Sequence, residues 1–236
     1  LILFLFPYAG GSSLSFNTWL PHLSPYIRVI TYDIPGRDRL YSTQPLDIDI
    51  PEMASSILPK ISDAISQNEP FAFLGYSMGA LLAFELARQI SIFRPWHRLR
   101  YFFAFSCSAP NIKHTEDIYD FDDAAFDAAI HDYCGTPIEI IENTELMDMI
   151  RPALRRDIKA SAKYDPGLGF ALDCPVDAIG GRFDRWVSEI DLKSWSHVTK
   201  LFGEVKTYPD GHFFIEGREE EVSNYVLARL RQVGLL

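Results

Sequence analysis

Phe71-Ala72-Phe73-Leu74-Gly75-Tyr76-Ser77-Met78-Gly79 decides the reading of this chain: an apolar run, then Gly-x-Ser-x-Gly, then the Ala- and Leu-rich stretch from Ala80 to Ile90. That is a strand, a tight turn and a helix. In such a setting the pentapeptide is a nucleophile elbow, whose strained turn presents the Ser77 hydroxyl while the flanking glycines leave room for neighbouring chain. The bare pattern is weak, because Gly and Ser are common; the strand before it and the helix after it give it weight.

A serine hydroxyl is a poor nucleophile at neutral pH without a base and an orienting acid. Chains built on such an elbow place these downstream in the order Ser, Asp or Glu, His, which selects Ser77, Asp184 and His212. Asp184 ends Gly180-Gly181-Arg182-Phe183-Asp184, just past the apolar run Pro175 to Ile179, and His212 lies in Asp210-Gly211-His212-Phe213-Phe214 after the strand-like Val205 to Tyr208. All three fall on loops at the C-terminal edge of a parallel sheet, where open α/β sheets form their crevices. His22, His97, His114, His131 and His197 lack a Gly-flanked loop and read as surface or structural residues. Among the acids, Asp173, Asp177, Asp191 and Asp210 compete with Asp184; Asp177 is the reserve, inside the apolar run rather than after it. Acyl transfer also needs two N–H groups aimed at the oxyanion. Met78, following the nucleophile, supplies one, and Ala9 in Pro7-Tyr8-Ala9-Gly10-Gly11-Ser12-Ser13, the loop after the strand Leu1 to Phe6, supplies the other.

Taken in order, Phe6-Pro7-Tyr8-Ala9-Gly10-Gly11-Ser12, Asp33-Ile34-Pro35-Gly36-Arg37, Gly75-Tyr76-Ser77-Met78-Gly79-Ala80, Leu154-Arg155-Arg156-Asp157, Gly180 to Val187 and Gly211-His212-Phe213-Phe214 resemble the signature blocks of type II thioesterases, free-standing α/β-hydrolases that accompany nonribosomal peptide and polyketide synthases. The resemblance runs over nearly the whole chain. It implies nucleophile Ser77, acid Asp184, base His212 and oxyanion donors Ala9 and Met78, acting without metal or redox cofactor on acyl groups carried by the phosphopantetheine arms of carrier proteins. Two departures stand out: Tyr8 and Tyr76 occupy places where many relatives have His, and Arg156 one that is often small. Tyr offers a neutral hydroxyl where His could carry charge, so a change in polarity at the pocket mouth is expected. Editing hydrolysis of aberrant or short acyl groups is the first function; a small-ester or lipid hydrolase, or a non-catalytic carrier-binding protein, are the alternatives on the same fold.

The rest of the chain agrees. At 236 residues and 47% hydrophobic content it fits one α/β-hydrolase domain over 1–236. Strands are predicted at Leu1 to Phe6, Arg28 to Asp33, Phe71 to Gly75, Tyr101 to Ser106, Val176 to Gly180 and Glu204 to Tyr208, and helices over Ile50 to Ser66, Met78 to Ile90, Ser188 to His197 and Glu216 to Gln232, a mostly parallel sheet with helices on both faces. The rhythm breaks across residues 111–164, where Asp122 to Tyr133, Glu142 to Ile150 and Ala153 to Tyr164 read as short amphipathic helices forming a lid, or a rigid packing subdomain. Phe121, Phe126, Ile130, Ile141, Met147, Met149 and Ile150 are either acyl-channel lining or ordinary core, the latter being the commoner fate of such residues.

Cys107, Cys134 and Cys174 show no metal-ligand spacing and suit a reducing cytoplasm, and no apolar run reaches transmembrane length. The chain opens inside a strand with no initiator Met, so a short natural N-terminus is expected to precede it. A formal net charge of −10 argues against nucleic-acid binding and against global attraction to acidic carriers. Two local basic clusters remain as docking candidates or solvated faces: Arg94, His97, Arg98 and Arg100, and Arg151, Arg155, Arg156 and Lys159. A monomer is expected.

Overall fold

Six parallel strands carry the molecule: β1 Ile2–Phe6, β2 Arg28–Thr31, β3 Phe71–Tyr76, β4 Leu99–Phe105, β5 Leu172–Gly181 and β6 Thr199–Tyr208, side by side in the order β2-β1-β3-β4-β5-β6. The computed structural model describes residues 1–35, 47–66, 69–95, 98–110, 112, 117–132, 143–167 and 169–236. Gly36, Arg37, His97, Asn111, His114, Tyr133, Cys134, Ile141 and Glu142 lie outside them. A parallel sheet covered on both faces needs strands that are apolar on both. Accordingly Ile2, Phe4, Phe6, Phe71 and Phe73 enter one core, while the alternating Leu3, Leu5, Ala72, Leu74 and Tyr76 enter the other.

Helices α1 Leu20–Leu23, α2 Ile50–Ala64 and α3 Met78–Phe93 follow the first strands. The sheet's first face packs on α2 and α3 through Met53, Ile57, Leu82 and Leu86. Its second face packs on α1 and on the C-terminal helix, Glu219–Gln232, through Leu23, Val222, Val226 and Leu230. Local chemistry marks the ends. Asp49 and Glu52 form a reciprocal cap on α2, with Asp49 Oδ1 accepting the Glu52 N–H at 2.8 Å and Glu52 Oε2 accepting the Asp49 N–H at 3.0 Å. The last helix opens on Glu219, Glu220 and Glu221 and closes on Arg229 and Arg231, both favourable to its dipole.

Four strands depart from the boundaries predicted by two residues or more: β4 begins at Leu99 rather than Tyr101, β6 at Thr199 rather than Glu204, and β2 and β5 differ as well. β2 stops at Thr31, because it is an edge strand paired only to β1, and Asp33 instead accepts the Ser13 N–H at 2.7 Å. β5 begins at Leu172, four residues before Val176; Asp173 and Pro175 hide its start, and the register with β6 slips between Leu172 and Pro175, an irregularity of the kind that lets proline sit within a sheet. The segment predicted as one helix from Ser188 to His197 divides into a helix, Glu189–Lys193, and a 3-10 turn, Ser194–Val198.

Among the described residues between β4 and β5 lie a 3-10 turn, Ile118–Asp120, and two helices, α4 Asp123–Asp132 and α5 Thr144–Lys163. The helices predicted from Glu142 to Ile150 and Ala153 to Tyr164 are one element from Thr144 onward: α5 runs through Pro152 without a break. An interior proline costs about 3 kcal/mol. Tertiary ties on either side offset it. Arg151 grips Asp127 of α4 at 2.8 and 2.9 Å and Asp148 at 2.6 Å, while Arg155 donates to the carbonyls of Tyr119 and Phe121 at 2.8 and 2.7 Å and to Asp123 at 2.8 Å. Ile118, Phe126, Ile130 and Leu154 form a small core beneath them.

These contacts change the reading of the basic cluster on α5. Arg151 and Arg156 are buried, Arg155 is spent on α4 and the preceding turn, and Lys159 faces Asp47 at 3.4 Å, so the cluster binds the molecule to itself and offers no continuous cationic face. Arg98 and Arg100 lie at the start of β4, the opposite edge of the sheet from Ser77. No helix among the described residues is long and apolar enough to cross a membrane.

Candidate active site

Ser77 sits between β3 and α3 with φ 51° and ψ −120°, a conformation L-residues avoid, which costs on the order of 1–3 kcal/mol. Its neighbours hold it there. The Ser77 N–H extends the ladder to the Phe105 carbonyl at 2.7 Å, and its own carbonyl accepts the Ala80 N–H at 2.8 Å to start α3. Gly79 is obligatory for closeness rather than for dihedral freedom: a Cβ there would overlap the carbonyls of Phe6 and Pro7. The first turn of α3 therefore abuts the end of β1, bringing Met78 beside the loop that carries Ala9.

The other two predicted residues arrive from β5 and β6. Arg182 continues the ladder to the Tyr208 carbonyl at 2.7 Å and Phe183 donates to the Asp210 carbonyl at 2.9 Å, binding the loop after β5 to the loop after β6. At Gly181 a Cβ would overlap the Gly211 carbonyl. In that arrangement His212 Nδ1 lies 2.7 Å from Asp184 Oδ2 and His212 Nε2 lies 3.2 Å from Ser77 Oγ. The Asp184 side chain is fully buried and that of His212 is 5% exposed. Asp184 Oδ1 accepts the N–H groups of Trp186 and Val187 at 2.9 and 3.2 Å, which leaves Oδ2 to the imidazole. An Nδ1–H held by a carboxylate leaves Nε2 as the acceptor facing the hydroxyl.

Asp177 has a different setting. Fully buried in β5, it accepts from Tyr101 at 2.9 Å, Tyr225 at 2.9 Å, the Glu204 N–H at 3.0 Å and Arg229 at 2.6 and 3.1 Å. Asp191 caps the helix after Ser188, and Asp210 pairs with Arg218 at 2.6 Å. His131 and His197 are exposed and His22 is half-buried, each on a helix or 3-10 turn.

Sequence reasoning missed two anchors of the His212 loop. The His212 carbonyl accepts the Tyr76 hydroxyl at 2.5 Å and the Ser106 hydroxyl at 2.7 Å, and Ser106 itself sits at φ 43° at the end of β4. Tyr76 was expected to alter the pocket mouth. It is instead wholly buried, stacked on Phe213 and Phe214, and burial holds its phenol well above the usual range, so it stays a neutral donor. Its position next to the nucleophile was the available signal; its partner, 136 residues away, was not visible.

Beside the serine is a cavity of about 150 Å³. Leu81 of α3, Trp186 after β5, and Ile118 and Ile158 of the β4–β5 segment line it, together with Ser77 and His212. Met78 is a lining residue as well; Ala9, half-buried in the adjoining turn, is not. The apolar residues proposed for an acyl channel lie elsewhere: Phe126, Ile130 and Met147 are buried core, Phe121 and Met149 are exposed, and Ile150 packs on the small α4–α5 core. Cys107 borders the cavity, but burial, aided by the charge of Asp184, pushes its thiol up and keeps it protonated.

A thioesterase-domain family model matches residues 1–230. The gramicidin S biosynthesis protein GrsT of Aneurinibacillus migulanus is 33% identical over 99% of this chain and 90% of its own length. The thioesterase PikA5 of Streptomyces venezuelae is 30% identical over 92% of this chain and 76% of its own. Among solved structures, the type II thioesterase YbtT of the yersiniabactin pathway superposes with a TM-score of 0.86 at 26% identity, covering 98% of this chain and 93% of that one. The type II thioesterase BorB of the borrelidin cluster gives 0.82 at 28%, covering 98% and 91%. The sheet and its helices are accordingly those of an α/β-hydrolase, and the chain belongs to the thioesterase family, as a type II thioesterase.

Proposed function

We propose that this thioesterase clears short acyl groups from the phosphopantetheine arms of carrier proteins in a nonribosomal peptide or polyketide synthase, acting as a monomer in the cytoplasm. The observation that carries the reading is the chain of contacts Asp184 to His212 to Ser77, at 2.7 and 3.2 Å, opening on an apolar cavity of about 150 Å³. His212 Nε2 takes the hydroxyl proton as Ser77 Oγ bonds to the thioester carbon, and Asp184 holds the imidazolium. The N–H groups of Ala9 and Met78 receive the oxyanion, each donor being worth about 3 kcal/mol. Collapse breaks the C–S bond and His212 returns the proton to the leaving thiolate. Water then repeats the cycle: His212 takes its proton, the Ser77 ester bond breaks, and the serine regains its hydrogen. These transfers need no metal or redox group. The segment over 111–164 acts as the lid, since its described residues Ile118 and Ile158 line the same cavity as Ser77.

Cavity size sets the expected substrate range. A void of this volume is about that of an engineered cavity that admits benzene, so it suits an acyl chain of about two to six carbons. With carrier-bound substrates, kcat/KM should peak in that range and drop by about 10-fold or more at twelve carbons, where filling turns into overpacking. The same assay run against aryl and lipid esters separates the alternatives; turnover of esters with no turnover of carrier thioesters would end the carrier reading.

The anchors of the His212 loop give a second expectation. Tyr76→Phe combined with Ser106→Ala removes both donors to one buried carbonyl, costing roughly 1–3 kcal/mol of stability. As the imidazole loses its fixed placement, kcat should fall by about 10- to 100-fold with KM nearly constant. Urea unfolding together with steady-state kinetics reads both effects, and an unchanged kcat would show the anchors to be purely structural.

A further inference from the structure

Asp157 is a fully buried carboxylate on α5 that the proton transfers do not use. Its oxygens face different ways. Oδ1 accepts Nε and Nη2 of Arg156 at 2.9 and 2.6 Å, and Oδ2 accepts the Gly10 N–H at 3.0 Å, 147 residues away in the loop after β1. Arg156, itself buried, passes its remaining arm to the Pro35 carbonyl at 3.2 Å. One ion pair thus fastens α5 to the loops that follow both β1 and β2.

The loop after β1 is a tight turn, closed by the Gly11 N–H on the Tyr8 carbonyl at 2.9 Å, with Gly10 at φ 78° in its third position. A positive φ there marks a type II turn, whose central peptide joins Ala9 to Gly10. Holding the Gly10 N–H fixes that peptide. The Ala9 N–H lies in the preceding peptide, whose Tyr8 carbonyl is held by the Gly11 N–H, so both peptides flanking Ala9 are fixed, one of them by Asp157; Leu154, one turn earlier on α5, packs against Gly10.

We propose that Asp157 is a positioning residue for the oxyanion turn: through the Gly10 N–H it fixes the direction of the Ala9 N–H, so the site is complete only while α5 is seated. The inference rests on Ala9 being an oxyanion donor, as proposed above. Replacing the carboxylate should therefore weaken transition-state binding more than substrate binding.

The test compares Asp157→Ala with Asp157→Asn, the latter on an Arg156→Met background, where the single acceptor oxygen of the amide is free for the Gly10 N–H. Asp157→Ala should lower kcat on a short acyl thioester by about 10- to 100-fold with KM within about threefold, and weaken an alkyl boronic acid inhibitor by a similar factor. Arg156→Met/Asp157→Asn should recover most of both. Because Asp157→Ala strands a buried guanidinium, the pair variant Arg156→Met/Asp157→Ala removes the charge along with the anchor and should show the same loss. The Gly10 amide of the unaltered protein, followed by NMR hydrogen exchange, should be protected relative to unbonded turn amides. A kcat within threefold of the parent in either alanine variant, equal losses in Arg156→Met/Asp157→Ala and Arg156→Met/Asp157→Asn, or fast exchange at Gly10 would overturn the proposal. Failure of the underlying reading shows differently, as thioester turnover that survives Ser77→Ala.

Discussion

Replacing Ser77 by Ala is expected to lower kcat on acyl-carrier thioesters by about four orders of magnitude or more, the loss seen when a nucleophile acting as part of a unit is removed. The fold should survive, because the side-chain hydrogen bond given up among the described residues is the 3.2 Å approach to His212 Nε2. Ala keeps a Cβ at φ 51° and so retains the strain of the native turn. Ser77→Gly relieves it and should melt no lower than Ser77→Ala. Mass spectrometry of carrier-bound substrates with the parent protein should show an acyl group on Ser77 that neither variant forms. Turnover within about tenfold of the parent would remove Ser77 from the mechanism.

A comparable loss is expected from Asp184→Asn, and a different kind of damage from Asp177→Asn. The Asp184 carboxylate sets the tautomer of His212, and an amide in its place favours the wrong one, a change worth about 10⁴ in kcat where such a triad operates. Stability should change little. At Asp177 the balance is reversed. From β5, the strand next to the sheet's edge, that carboxylate neutralises Arg229 and takes the hydroxyls of Tyr101 and Tyr225. Breaking a buried pair on one side costs about 3–5 kcal/mol, so Asp177→Asn should unfold at markedly lower urea while each folded molecule keeps its kcat. Titrating active sites with a phosphonate label normalises the rate to folded enzyme; an inactive, stable Asp177→Asn beside an active Asp184→Asn would exchange their roles.

Much of this was legible in the residues because the covered parallel sheet leaves a plain trace. Phe71 to Leu74 and Leu1 to Phe6 are apolar on both faces, and the loops bearing Ser77, Asp184 and His212 each follow a strand. Legibility failed where a distant partner overruled a local rule. Pro152 reads as a helix boundary, yet Arg151 and Arg155 hold both sides of it to residues about 24 to 36 positions away. The same arginines look like a docking face until Asp127, Asp123 and two backbone carbonyls are placed against them. Tyr76 and Asp157 stand inside motifs quoted for other reasons. What each does depends on a backbone group in another loop, the His212 carbonyl and the Gly10 N–H, and no spacing in the chain announces such a pairing.

The buried Asp177 also bears on how the molecule is made. β5 leaves the ribosome well before its counter-ion, since Arg229 follows Asp177 by 52 residues. Until the final helix has emerged, closing the nascent sheet around β5 would enclose an unneutralised carboxylate. Synthesis therefore favours an open intermediate until that helix is available, and a chain cut short before Arg229 should be one that proteases clear.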